Sequence, residues 1–520
     1  MDKERHSTIL EALKSAIGEE NVEDSPVIMR AYHRDWLPPS VLNPILPEFV
    51  TLPNSTEQTR KVIKICNRFK IPFIPLGSSQ WSVTTAPNRP GTLIIDSKRM
   101  NRILEIDEKN MYAVIEPYVT MAQIHSEANK RGLYLGSPEA SAQASAMAGH
   151  VFQGMWGVGH RLGVGHRNSL AMEWVLPNGE ILRTGSWSNS SKTRFFGEGP
   201  GSDLRGILRG LAGAMGGMGM VTKMAIKLHP YPGPKEFPCE GMIPNHTSTL
   251  PPERFQWYII KYPTIEKAAD AMYEIASAEI AGVLQKWPTV YYNWWWANSN
   301  EEYWETWKEG VWQKHCKHAV AVCLWGFTSE KQLEYEKRVL EDIIKETKGK
   351  PIPQEIFDKW VPRTANNWIR DTNGSRMMRP SGTFAALRLP FDTINSSIGV
   401  CEAGAQWVDK FSPPILDCDA PDWISSYDFG HFGAAETDFP LEKNAQDMGD
   451  IMQKLMGMMK EDLSHRIEGG FGPFLGGAYH SMAGSTFYDY GELLKGIKKA
   501  VDPNVVSNPP HNYPIEREED

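Results

Sequence analysis

Residues 71–79 read IPFIPLGSS, a buried strand that runs straight into a glycine-serine loop, and this segment decides the fold class. Upstream, Asn54-Ser55-Thr56-Glu57 offers N-cap chemistry, which predicts a helix over 59–69. Downstream, the apolar runs at 92–96 and 113–117 predict two more strands. Short strands and helices that alternate in this way predict a mixed α+β domain.

The same kind of pattern continues along the rest of the chain. Further helices are predicted at 5–17, 121–131, 265–276, 330–346, 445–462 and 488–500, and further strands at 172–176, 180–183 and 221–228. The Pro-Asn-Gly turn at 177–179 predicts that two of these strands form a hairpin. The Pro/Gly-rich segment 230–253 indicates a linker, and residues 254–460, which hold most of the tryptophans, predict a second α+β domain.

Composition excludes several classes of protein. The chain has 520 residues, of which 41% are hydrophobic and 23% are charged, so the bulk of it is not disordered. Lys and Arg total 55 against 63 Asp and Glu, which argues against general nucleic-acid binding. The six cysteines are scattered without a CxxC pair, which argues against clustered zinc or iron–sulfur sites and against a disulfide scaffold. A reducing cytoplasm is the expected location.

Two segments decide whether the sequence predicts a signal peptide or a membrane span. The N-terminal residues 1–18 are charged and lack the apolar core of a signal peptide. Residues 140–159 carry no formal charge, but they are rich in Gly, Ser, Gln and His. That composition is poor for a membrane span and suits backbone that lies close to a ligand, so we expect no membrane span.

Glycine is concentrated in three runs, at 132–165, 210–219 and 469–477. Backbone N–H groups without a neighbouring Cβ suit an anionic pyrophosphate, although turns and tight packing would also explain each run. No segment has the GxGxxG context of a nicotinamide dinucleotide site, and none ends in the Gly-Lys-Ser/Thr of a P-loop. A P-loop ATPase and a standard Rossmann enzyme are therefore both disfavoured.

A set of short motifs in a fixed order resembles the vanillyl-alcohol oxidase / p-cresol methylhydroxylase family of FAD-linked oxidoreductases. The motifs are at 71–79, 86–96, 100–105, 113–120, 178–185, 199–204, 219–223, 500–504 and 508–509. They run in order along the first 230 residues and return over the last 50. Each motif is weak alone, and their order makes the resemblance specific.

The resemblance implies a two-domain α+β flavoprotein. It implies a PCMH-type FAD-binding domain over 1–231 with its core at about 45–231, a cap or substrate domain over 232–468, and a C-terminal return over 469–520. The residues that it places at the FAD are Pro75, Leu76, Gly77, Ser78, Ser79, Gln80, Ser82, Pro117, Ser137, Pro138, Ser145, Gly149, His150, Gly154, Gly159, Gly163, Gly219, Met220, Val221 and Asn508.

The departures from the family pattern concern FAD attachment and the substrate. Gln80 stands where some relatives attach FAD through a His, and His431 or Tyr427 in the cap are the other candidates, so we expect non-covalent FAD. Ser82 replaces a phenolate-binding Tyr and Val164 replaces a carboxylate. The motif that begins at His431 lacks the later His of a metal-binding relative, so no metal is expected.

The candidate catalytic residues lie late in the chain. His480, beside Tyr479 where phenol-oxidising relatives have a Tyr-Arg pair, is the first choice of base, although a packing His explains it equally well. His431 and Glu436 are the further candidates, with Asp438 as an alternative acid.

Substrate contacts are expected from arginines and aromatic residues. Arg376, Arg379 and Arg388 could bind a carboxylate, although surface arginines are more common. Residues 291–296, YYNWWW, would alternate faces as a strand, one of them toward the flavin.

Together these features predict an FAD-dependent oxidoreductase that transfers hydride from an aromatic or apolar alcohol, or an alkyl-substituted ring compound, to flavin N5. The alternatives are a 2-hydroxy-acid dehydrogenase and a flavin subunit that passes electrons within a complex. We expect a small-molecule substrate, a homodimer or higher homo-oligomer, and an electron-acceptor protein as a further partner.

Overall fold

The fold is taken from a computed structural model of the chain. It describes residues 1–33, 45–79, 86–87, 89–136, 142–153, 157–188, 204–208, 216–236, 239–242, 245, 247–248, 253–364, 374–382, 384–387, 391–442, 457 and 490–509.

The first domain alternates helices and short strands. Its helices are α1 (Lys3–Ile17), α2 (Pro26–Met29), α3 (Thr56–Arg68), α4 (Met121–Asn129), α5 (Ala146–Ala148), α6 (Gly159–Leu162) and α7 (Arg205–Leu208). Its strands are β1 (Val22–Glu23), β2 (Phe49–Thr51), β3 (Phe73–Leu76), β4 (Leu93–Asp96), β5 (Ile103–Asp107), β6 (Tyr112–Ile115), β7 (Leu133–Tyr134), β8 (Ser169–Val175), β9 (Ile181–Thr184), β10 (Met220–Lys227) and β11 (His229–Pro230). The predicted N-cap of α3 is confirmed, because Ser55 accepts a hydrogen bond from the Gln58 N–H.

Two larger sheets form this domain, and β7 and β11 pair in a separate two-stranded sheet. In the first, with order β1-β2-β4-β3, strands β2 and β3 run parallel to β4, and α1 and α3 pack against it through residues such as Leu13 and Val62. In the second, with order β5-β6-β10-β8-β9, every pair is antiparallel, and β8 and β9 form the predicted hairpin. The first sheet therefore places the end of β3, where the glycine-serine loop begins, at an edge that later segments can reach.

The second part of the chain is built on one larger sheet. The strands of this part are β12 (Cys239–Glu240), β13 (Thr247–Ser248), β14 (Phe255–Lys261), β15 (Val283–Lys286), β16 (Ala319–Trp325), β17 (Lys350–Pro351), β18 (Phe384–Leu387), β19 (Phe391–Asp392), β20 (Asp422–Tyr427) and β21 (Phe432–Pro440). Of these, β12 and β13 form a separate two-stranded sheet. The helices of this part are α8 (Ile265–Ser277), α9 (Thr289–Trp296), α10 (Asn300–Lys308), α11 (Val311–Cys316), α12 (Glu330–Glu346), α13 (Gln354–Thr364) and α14 (Ile394–Lys410), and α15 (Tyr490–Val501) follows near the C-terminus.

The larger sheet, here called the cap sheet, has the order β17-β14-β16-β15-β20-β21-β18, with β19 also paired to β21. One face packs against α8, α12 and α14 through aliphatic residues such as Met272, Leu340 and Ile424. The other face carries an aromatic cluster that also includes Tyr134 and Tyr231 of the first domain. The aromatic face of the cap sheet is thus the one turned toward the first domain.

The strand expected at 291–296 is wrong, because these residues belong to helix α9. Aromatic residues favour strands in general, but here Tyr291 to Trp295 are all buried, and a helix buried on every side shows no periodicity that would reveal it. The helix expected at 445–462 lies outside the described residues.

Candidate active site

The predicted cofactor loop begins where β3 ends. Pro75, Leu76, Gly77 and Ser78 all keep accessible surface, in contrast to the buried first half of the strand. Ser79 has a left-handed φ of 56°, which turns the chain in the manner of loops whose N–H groups converge on an anion. The loop is therefore open at the place where a pyrophosphate would approach.

Ser145 packs against Gly77 of this loop. Its Oγ donates to the Pro117 carbonyl at 2.6 Å and accepts from the Ala148 N–H at 3.1 Å, so it ties the start of α5 to the end of β6. A Cβ built on Gly77 would lie 3.4 Å from the Ser145 Cβ. Three segments that the sequence assigned to the cofactor are thus in contact.

The C-terminal residues Ser507 and Asn508 lie beside strand β3, which leads into the loop. The Asn508 N–H donates to the Phe73 carbonyl at 2.8 Å, and Asn508 is buried. The Ser507 Oγ donates to the Gly216 carbonyl and accepts from the Gly219 N–H. A Cβ on Gly216 would lie 2.6 Å from the Pro75 Cγ. Met220 and Val221, which follow on β10, are therefore brought beside the loop.

His150 lies in a buried turn of π-helix at Gly149–Gln153. Its Nδ1 is 2.7 Å from the Ala146 carbonyl, and burial lowers the pKa of its imidazole to about 4. Burial likewise lowers the pKa of His125 to about 3 and that of His229 to about 4. Burial also lowers the pKa of His160 to about 3, so at least four histidines of the described first domain are neutral at pH 7.

Gly159 and Gly163 contact the cap sheet. A Cβ on Gly159 would lie 2.2 Å from the Tyr427 ring, and one on Gly163 would lie 2.5 Å from Asp428 Oδ1. Between them, His160 joins Ser426 and the Ile280 carbonyl, both at 2.9 Å. These glycines let the first domain approach the cap closely, while their cofactor role stays a prediction.

Glu436, one of the predicted catalytic residues, lies on the aromatic face of the cap sheet. It lies directly opposite Trp423, and Ala434 on the same face packs against Val164 of the first domain. Its carboxyl is hydrogen-bonded to Asp438, two residues along the strand, and burial raises the pKa of Glu436 to about 7. Glu436 itself is only partly buried, so some of its surface stays accessible.

An aromatic wall, formed by Trp287, Tyr291, Trp295 and Trp423, lies beside Glu436. Tyr291 is 4.9 Å from Trp287, 5.9 Å from Trp295 and 5.0 Å from Trp423 between ring centroids. The Trp287 Nε1–H donates to Gln285 at 2.6 Å. An apolar, flat molecule could lie against this wall with one atom at Glu436.

The remaining predicted residues lie elsewhere. His431 is exposed in the turn between β20 and β21, away from the wall. Eight predicted residues lie outside the described part of the chain: Gln80, Ser82, Ser137, Pro138, Gly154, Arg388, Tyr479 and His480. Sequence reasoning missed Trp423, which only the strand register places opposite Glu436. It also missed Gln285, which accepts a hydrogen bond from Trp287 of the wall.

The described residues contain neither a candidate metal site nor a candidate membrane-spanning helix. They contain no group of three His, Cys, Asp or Glu side chains that could hold a metal ion. Among the same residues, every helix is too short or too polar to cross a membrane.

Comparison with known proteins identifies the first domain. Residues 47–185 match the family model described as FAD binding domain. The chain is 30% identical over 230 residues to a glycolate oxidase subunit of Bacillus subtilis, covering 44% of this chain and 46% of that protein. It is 31% identical over 230 residues to the 4-cresol dehydrogenase [hydroxylating] flavoprotein subunit of Pseudomonas putida, covering 43% and 42%. The chain thus spans less than half the length of these curated relatives.

Solved structures extend the likeness to the whole chain. A p-cresol methylhydroxylase with substrate bound superposes with a TM-score of 0.77 at 17% identity, covering 99% of this chain and 98% of that one. The 4-ethylphenol oxidase of Gulosibacter chungangensis gives 0.75 at 16% identity, covering 100% and 99%. The chain therefore carries an FAD-binding domain in its first part and has the two-domain α+β fold of p-cresol methylhydroxylase. The resemblance given by its motifs is confirmed.

Proposed function

We propose that the chain is an FAD-dependent oxidoreductase that oxidises a C–H bond of an aromatic or apolar alcohol, or of an alkyl-substituted ring compound. The observation that carries the proposal is Glu436, a partly accessible carboxyl whose pKa burial raises to about 7 and which lies opposite Trp423 of the aromatic wall. FAD bound in the first domain would supply the hydride acceptor.

The residues present fit FAD. The open loop at 75–79 offers backbone donors to a pyrophosphate, with Ser145 beneath it and Asn508 and Val221 beside it. Non-covalent binding is supported by the two attachment candidates in the cap. His431 lies on the surface, and the Tyr427 ring is packed between Gly159 and Phe432.

Glu436 would take the proton that the substrate hydroxyl loses. At neutral pH a carboxyl with a pKa near 7 is partly ionised, so it can accept a proton without a large free-energy penalty. Asp438, through its hydrogen bond, would hold the Glu436 carboxyl in place. The aromatic wall would orient the substrate and exclude water from the reacting carbon.

A second candidate is a 2-hydroxy-acid dehydrogenase. The names of two relatives support it, the glycolate oxidase subunit and a mitochondrial D-lactate dehydrogenase [cytochrome] of Arabidopsis thaliana. A role as electron-transfer subunit, homo-oligomeric assembly and a cytoplasmic location stay predictions.

An anaerobic absorption spectrum tests the proposal. The purified chain is loaded with FAD, and 4-methylphenol, benzyl alcohol, D-lactate or glycolate is added in turn. Bleaching of the flavin band by either of the first two supports the leading function, and bleaching by the hydroxy acids alone supports the second. A chain that takes up no FAD would overturn both.

A further inference from the structure

Three arginines surround the C-terminal end of helix α9. Arg376, of which only 1% is exposed, donates to the Trp295 carbonyl, and its guanidinium lies 5.6 Å from the Trp295 ring. Arg363 donates to the Trp296 carbonyl at 2.6 Å and lies 4.8 Å over the Trp296 ring. Arg379 donates to Asn245. We call these residues the arginine cluster.

Helix capping explains part of this arrangement. Cations favour the C-terminal end of a helix, and the two tryptophan carbonyls accept one hydrogen bond each from Arg376 and Arg363. Arg379 is different, because its Nη1 is buried and has no hydrogen-bond partner in the described part of the chain. A buried donor without a partner is costly, so a ligand atom at this position would stabilise it.

The charge of the cluster also favours an anion. Burial, together with the neighbouring charges of Arg379 and Arg363, lowers the pKa of Arg376 to about 9, whereas Glu302 opposes the shift. Three guanidinium groups at this close range repel each other. A carboxylate would offset that repulsion and match the planar fork of a guanidinium in a bidentate contact.

The cluster adjoins the proposed active site. Trp295, beneath Arg376, is 5.9 Å from Tyr291, which lies one turn earlier on α9, a rise of about 6 Å. Tyr291 contacts Trp423, which stands opposite Glu436. The aromatic wall therefore runs from the proton acceptor at one end to the arginine cluster at the other.

We propose that the arginine cluster binds a carboxylate carried by the substrate, so that the substrate is an aromatic acid whose oxidisable carbon lies at Glu436. This inference rests on the proposed function for the position of the reacting carbon. The carboxylate site itself does not depend on flavin chemistry and can be tested without turnover.

Titration calorimetry on the FAD-loaded chain tests the carboxylate site. Benzoate and uncharged benzyl alcohol are the matched probes, and inorganic phosphate is the generic anion. We expect benzoate to bind about tenfold or more tightly than benzyl alcohol, as one charged hydrogen bond would give. Arg379→Gln should remove this preference, and the control Arg338→Gln, on the exposed side of α12, should keep it. Arg363→Gln provides a second test if Arg379→Gln does not fold.

Three results would overturn the inference: equal binding of benzoate and benzyl alcohol, an unchanged preference in Arg379→Gln or in its substitute Arg363→Gln, or phosphate binding more tightly than benzoate. If benzoate binds as expected and no compound reduces the flavin, the carboxylate site stands and the proposed function fails.

Discussion

Glu436 lies directly opposite Trp423 across the β20–β21 pair, on the face of the cap sheet that is turned toward the FAD-binding domain. Side chains opposite each other in an antiparallel pair are about 5 Å apart at Cβ, so the carboxyl and the indole are direct neighbours on that face. This pairing places a carboxyl whose pKa is raised to about 7 beside the aromatic wall.

Replacement of Glu436 by Gln should slow flavin reduction by about 10²–10⁴-fold, the usual contribution of a general base, without loss of FAD. Stopped-flow absorbance measures the rate, and Glu334→Gln on the exposed face of α12 serves as control. An unchanged rate in Glu436→Gln would remove this residue from the mechanism.

The rate of flavin reduction in the wild type should rise with pH and level off above about pH 7. The reason is that Glu436, whose pKa is raised to about 7, must be ionised to accept a proton. The measurement is a pH profile of the reduction rate under substrate saturation. The inflection should disappear in Glu436→Gln, and a profile that keeps it would assign the inflection to another group.

The buried histidines should make the fold sensitive to acid. The pKa of His125 is lowered to about 3, below the value near 6.5 of an unfolded chain, so between these values only the unfolded state binds the proton. The stability that His125 contributes is present above pH 6.5 and falls as the pH drops, by on the order of 2 to 3 kcal/mol at pH 4.5. Urea unfolding of His125→Phe across this range should show a shallower pH dependence than the wild type. Equal slopes in the two proteins would contradict the assignment.

Gly159→Ala should destabilise the contact between the FAD-binding domain and the cap. The new Cβ would lie 2.2 Å from the Tyr427 ring, and overpacking of this kind costs about 1–3 kcal/mol. Gly399→Ala is the matched control, because it lies inside α14 with no atom within 4 Å of the new Cβ and should stabilise by about 1 kcal/mol. Thermal unfolding compares the two variants, and an equal melting temperature in both would contradict the packing assigned to Gly159.

Lys498→Met should loosen the C-terminal segment and weaken FAD binding. Lys498 and Asp502 form a buried ion pair at 2.9 Å, and Lys498 also donates to the Gly217 and Ser507 carbonyls. Removing one partner of a buried pair costs about 3–5 kcal/mol. Calorimetric titration with FAD and chemical unfolding measure both effects. Lys495→Met, which removes an exposed lysine from the same helix, should change neither by much.

Local sequence features predicted a large share of the fold. The N-cap Ser55, the Pro-Asn-Gly hairpin at 177–179 and the strand at 71–76 are signals carried by neighbouring residues, and the structure agrees with each. Helix α9 escaped prediction because its residues are buried on all sides, so tertiary packing outweighed the strand preference of its aromatic residues.

The sequence by itself indicated an FAD-binding domain, because the ordered motifs that resemble the p-cresol methylhydroxylase family are short-range features of the chain. Only the tertiary structure decided which side chains surround the site. Strand register set Glu436 against Trp423, helix packing buried Arg376 beside Trp295, and interdomain contact turned Gly159 toward Tyr427. Each of these pairs joins residues far apart in the chain, and such pairings depend on the register and packing of whole elements rather than on local pattern.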